Sequence, residues 1–90
     1  MSASQTPSVP TIHYAEFDAM KEVASSLKAA YLRRAVEASN DIQRKWWIGQ
    51  SWMVEDFVAA VNSEDLEETR AMAEFFAAQL DDIESSIEAA

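Results

Sequence analysis

The sequence predicts an all-α protein: a small antiparallel bundle with helices at about 13–38, 41–61 and 64–88. Three observations carry this expectation. The 90 residues include one glycine and two prolines, too few for the Gly-rich turns on which β-hairpins lean. Apolar side chains recur at spacings of three and four, the signature of one helix face. Two polar stretches, Ser39-Asn40-Asp41 and Asn62-Ser63, interrupt that pattern and divide it into three.

Residues 1–10 are rich in Ser, Thr, Gln and Pro and read as a disordered leader; residues 11–90 form a single helical domain. Thr11 is placed to cap the first helix, half of a capping box because Tyr14 stands where Glu would complete it. The first helix then presents Phe17, Met20, Ala24, Leu27, Tyr31, Ala35 and Ala38 on one face, with Lys21, Lys28, Arg33 and Arg34 off it.

Asn40, with Gln43 three residues on, fits a cap for the second helix. Ile42, Trp46, Gly49, Met53, Phe57 and Val61 fall on one face and are expected to be its buried side. A glycine inside a helix costs about 1 kcal/mol relative to alanine, and close approach of a neighbouring helix would offset that. The competing arrangement is a two-helix hairpin that turns near Gly49, with Ser51 capping the next helix.

Ser63, with Glu64, Asp65, Glu67 and Glu68 after it, reads as the start of the third helix, since carboxylates suit the positive end of the helix dipole. Leu66, Thr69, Ala73, Phe76, Leu80, Ile83, Ile87 and Ala90 then alternate strictly by three and four, like a coiled-coil seam. Packed side by side, the first and third helices would let Lys21, Lys28, Arg33 or Arg34 face the acidic residues of the third.

The composition removes several function classes. Absent cysteine excludes disulfide scaffolds, thiolate metal sites and thiol catalysis. A lone histidine excludes a multi-His metal centre, and His13, at the start of the first helix, reads as a surface residue rather than a triad base. Carboxylates are many but fall at polar helix positions rather than in a desolvated cleft. The expectation is therefore a non-enzyme without catalytic, cofactor or metal site.

Net charge is −9, from 16 acidic and 7 basic residues. It is unevenly placed: residues 1–50 sum to +1 and residues 51–90 to −10. Such a surface repels nucleic-acid phosphates and anionic lipid and favours basic protein partners. No apolar run is long enough to span a bilayer, and the first residues lack the basic and apolar regions of a secretory signal. The expected compartment is the cytoplasm, the alternative being secretion without a cleaved signal.

Trp46, Trp47 and Trp52 lie within one short stretch, with Phe57 close behind, and on a helix they point in different directions. A bundle this small cannot bury all three, and Trp leads among interface residues. Met72 and Phe75 add a second apolar stripe beside the third-helix seam. The expected partner-binding residues are Trp46, Trp47, Trp52, Phe57, Met72, Phe75, Glu67 and Glu68. Homo- or heterodimer formation is a further expectation, because small bundles gain stability by oligomerising.

The tripeptide Trp47-Ile48-Gly49, the opening Ile12-His13-Tyr14 and the closing Leu80-Asp81-Asp82-Ile83 sit in a short, acidic helical chain. In this the chain resembles the WXG100 family of small helical proteins. The resemblance implies a helical hairpin with W-x-G in the turn, pairing as dimers and export by a type VII secretion system. Trp46 and Trp52, the Asn40 and Asn62-Ser63 breaks, and the lack of a C-terminal Tyr-x-x-x-Asp/Glu signal depart from that pattern.

The sequence thus points to an acidic helical interaction module, an adaptor, regulator or inhibitor subunit. The alternatives are the exported WXG100-like protein and a phage-type acidic inhibitor that mimics nucleic acid to block a basic groove.

Overall fold

The computed structural model describes residues 14–89, as three helices: α1 (Tyr14–Glu37), α2 (Asp41–Ala60) and α3 (Leu66–Ala89). The leader expected over Met1–Pro10, the Thr11 cap, His13 and Ala90 lie outside the described residues. The fold is the small all-α bundle that the periodicity predicts, and the hairpin turning at Gly49 is not adopted. Gly49 lies within α2, without a positive φ.

The connections are built by side-chain caps. Asn40, in extended conformation, accepts a hydrogen bond from the Gln43 backbone N–H at 2.8 Å. The Gln43 side chain reaches back to the Ser39 hydroxyl at 3.1 Å. Together they close the α1–α2 corner as a variant of the capping box. At the second corner the structure corrects the expected start. Asn62 Oδ1 accepts from the Glu64 N–H at 3.0 Å, which makes residues 62–65 a turn. Asp65, not Ser63, caps α3, accepting from the Glu68 N–H at 3.0 Å.

α1 is the central helix. It packs along both α2 and α3, whereas α2 and α3 scarcely meet. Its buried residues are Met20, Ala24, Leu27, Ala30, Tyr31 and Ala35, the expected face widened by Ala30. A helix flanked on two sides needs this wider stripe, and its alanines let both neighbours approach closely. Among the described side chains the α3 seam is also as expected: Thr69, Phe76 and Ile83 are buried, Ala73 and Leu80 pack beside them and Leu66 is half-buried, while the Ile87 side chain lies outside the described ones.

The α2 face is as expected only at its C-terminal end, where Val61 is buried and Phe57 packs against the core. Ile42 is 82% exposed, Trp46 57% and Met53 46%. The side turned to the core carries Trp47, Ser51, Val54 and Val58 instead. The sequence offers two apolar stripes on α2, roughly 100° apart. The one that meets α1 has the smaller residues Ser51 and Val54, which permit close packing, while Trp47 stacks on Tyr31 at 5.8 Å. Gly49 accordingly faces away from α1, and a methyl added there would meet nothing within 4 Å. The expected offset by a close neighbouring helix is absent within the chain.

The charge pairing open to a packed α1 and α3 is also replaced. Lys28 pairs with Glu55 of α2 at 2.7 Å, and Lys21 with Asp18 of its own helix at 3.8 Å. No described α1 base forms an ion pair with α3. Register explains this: α3 turns its hydrophobic seam to α1 and leaves its carboxylates outside.

Candidate functional site

Because α2 and α3 both lean on α1 and barely touch each other, a groove runs between them. Its floor is α1. Leu27 and Tyr31 lie at its base, and Arg34 closes one end. α2 supplies Trp46, Trp47, Gln50, Met53 and Phe57 to one wall, and α3 supplies Phe75, Gln79 and Asp82 to the other. Two adjoining hollows, about 70 and 240 Å³, share Tyr31, Gln50 and Gln79 and make the groove continuous. Phe57 and Phe75 bridge the walls edge-on at 6.0 Å.

One end of the groove is polar. The Arg34 guanidinium lies over the Trp47 ring, 5.6 Å from its centroid, and Nη2 donates to the Ile83 carbonyl at 3.4 Å. Its Nε is buried with no hydrogen-bond partner among the described residues. Trp47 contacts both this cation and the Tyr31 ring and meets Trp46 edge-on at 4.7 Å. Burial, and then the nearby Asp82 charge, raises the Tyr31 hydroxyl above the ordinary tyrosine pKa of 10.0. Tyr31 therefore stays a neutral hydroxyl at this wall across the physiological range.

The expected partner-binding residues divide into four groups. Trp46, Trp47, Phe57 and Phe75 line the groove. Met72 packs against the core. Glu68 lies on the same line of α3 as Phe75 and Asp82, seven residues to either side, about two helical turns each. Trp52 and Glu67 are elsewhere: Trp52 is 65% exposed on the outer side of α2, and Glu67 is exposed away from the groove. Sequence reasoning missed Tyr31, Arg34, Gln50, Met53, Gln79 and Asp82 as groove residues. Met53 carried a signal, its place in a stripe with Trp46, but that stripe matched the expected core face. Gln50 and Gln79 gave none, since isolated glutamines on helices are ordinary.

No described helix is long and apolar enough to cross a membrane. Comparisons with protein-family models, with curated proteins and with solved structures found no match for this chain.

Proposed function

We propose that this protein is a non-enzymatic interaction module, the adaptor, regulator or inhibitor subunit of a protein assembly, whose docking site is the groove between α2 and α3. The observation that carries the reading is the pairing of an apolar floor with large side chains left half in water along the rim. Trp46 and Met53 stand on one side, and Phe75, 45% exposed, on the other. Large apolar groups gathered around one hollow are costly to leave in water and are typical of binding surfaces. A groove walled by two helices suits an amphipathic helix laid along it. The line Glu68, Phe75, Asp82 gives the α3 rim a repeating acidic edge around an aromatic anchor. It favours a partner helix whose apolar face is flanked by Lys or Arg, with electrostatics setting on-rate and selectivity more than affinity.

Affinity capture with the whole chain from its native source, read by mass spectrometry, tests the proposal. The Trp46→Ala/Phe75→Ala variant is expected to keep its helical circular dichroism and to lose the wild-type partner by at least about tenfold in recovery. Equal capture by both proteins would place the docking surface elsewhere.

A further inference from the structure

The outer face of α2, opposite the side that packs on α1, is used neither by the core nor by the groove. At about 100° per residue, Lys45, Gly49, Trp52 and Asp56 fall within an arc of about 60° on that face. All but Gly49 are exposed, and Gly49 is open on the side that a Cβ would occupy. Neither Lys45 nor Asp56 has an ion-pair partner among the described residues. Trp52, 65% exposed, touches none of the other rings.

The order of these four residues is self-complementary. Gly49 stands four places after Lys45, and Trp52 stands four places before Asp56. The pattern is symmetric about the point between Gln50 and Ser51. An antiparallel second copy of α2, related by a two-fold axis that crosses the outer face at that height along the helix, sets Lys45 opposite the partner's Asp56. The same operation sets Trp52 opposite the partner's Gly49, and Ile42 opposite the partner's Ala59. Each contact occurs twice, as an isologous interface requires. The missing side chain at Gly49 is a notch in the helix surface, and an indole is the large knob that such a notch accepts. Absence of a Cβ there also lets the two helix axes come close.

We propose that this protein forms a homodimer through antiparallel packing of the outer faces of α2, with Trp52 seated on Gly49 of the partner subunit and Lys45 paired with Asp56 of the partner subunit. The occupant is a second copy because this face complements itself: turned end for end, its cation meets its anion and its Trp52 meets its Gly49. The face is also the right one for a chain of net charge −9. α3 has Arg70 as its sole basic residue and would repel its own copy, whereas the α2 face brings one cation to each anion. Dimerisation on this side leaves both grooves open and presents two docking sites on one particle. The proposal does not depend on what the grooves bind.

Charge reversal tests it on the whole chain. Sedimentation velocity at about 200 μM is expected to find wild-type dimer, a concentration suited to an interface at the small end of specific contacts. Lys45→Asp alone and Asp56→Lys alone each place like charges opposite one another twice, and each is expected to weaken the dimer at least about tenfold. Mixed in equal amounts, the two variants restore both ion pairs, and a heterodimer is expected to return. Both residues are exposed, so circular dichroism of each variant should match the wild type. A monomeric wild type, single variants that dimerise like the wild type, or a mixture that stays monomeric would each overturn the proposal. Trp46→Ala/Phe75→Ala is expected to dimerise normally, which separates failure of this interface from failure of the groove.

Discussion

Gly49 shows how much one residue's surroundings alter its meaning. A glycine within a helix costs about 1 kcal/mol against alanine through lost backbone entropy. Here a methyl group would enter open space, so nothing on the folded side opposes the substitution. Gly49→Ala is expected to raise the stability of the monomer by about 0.5–1 kcal/mol, measured by thermal melting at low micromolar concentration. In the proposed dimer the same methyl fills the notch under Trp52 of the partner subunit and weakens association. A residue that raises monomer stability while lowering dimer affinity is one whose cost within the chain is offset by a contact between chains. Arg34 and Trp47 carry a related lesson. Each looks like a surface or interface residue in isolation, but together with Tyr31 they form a stacked plug at the groove end.

At the scale of the element, the starts of α2 and α3 are set by side chains rather than by propensity. Asp65 accepts from the Glu68 N–H, and its carbonyl accepts from the Thr69 N–H at 3.0 Å, so it anchors the first turn of α3 twice. Ser63 stands two residues earlier, in the turn begun by Asn62. Asp65→Ala is expected to destabilise the protein by about 1 kcal/mol, against a few tenths for Ser63→Ala, with chemical denaturation as the measurement. The sequence contains both candidate caps. The choice between them falls to the Asn62 side chain, which takes the Glu64 N–H and turns the chain before the helix begins. α2 makes the same point about faces. Two stripes of apolar residues were available to it, and the bulkier one, with Trp46 and Met53, stays partly in water.

For the whole molecule, α1 is the scaffold on which both neighbours depend. Leu27 is almost fully buried in the cluster that includes Val54 of α2 and Phe76 of α3. Leu27→Ala is expected to cost about 2–5 kcal/mol. Because one helix serves both interfaces, circular dichroism and tryptophan fluorescence should report a single shifted transition rather than two. The open angle between α2 and α3 comes from the same arrangement: among the ring contacts, Phe57–Phe75 alone joins the two outer helices. That opening creates the groove. The charge asymmetry then becomes spatial, since α3 carries most of the acidity of the second half and forms one groove wall.

The α1 and α3 seams were legible because in each helix one apolar stripe keeps an unbroken spacing of three and four, and Met20, Leu27 and Tyr31 or Thr69, Phe76 and Ile83 are buried along it, whereas the shorter Met72–Phe75 stripe only flanks the α3 seam. The helix breaks were legible because Asn40 and Asn62 compete with the helical backbone for hydrogen bonds. α2 was not legible to the same degree, since its pattern is compatible with two buried faces. Half of the groove was visible in advance as an aromatic cluster. Its floor was not, because Tyr31 and Arg34 gain their role only from the side chains across from them. Local hydrogen bonding and hydrophobic periodicity are properties of a segment, so the sequence by itself determined the helices, their caps within a few residues and two of the three core faces. Which stripe of α2 meets α1, where Gly49 points, and that α2 and α3 stand apart are decided by side-chain volumes meeting across helices, and only the tertiary structure brings those volumes together.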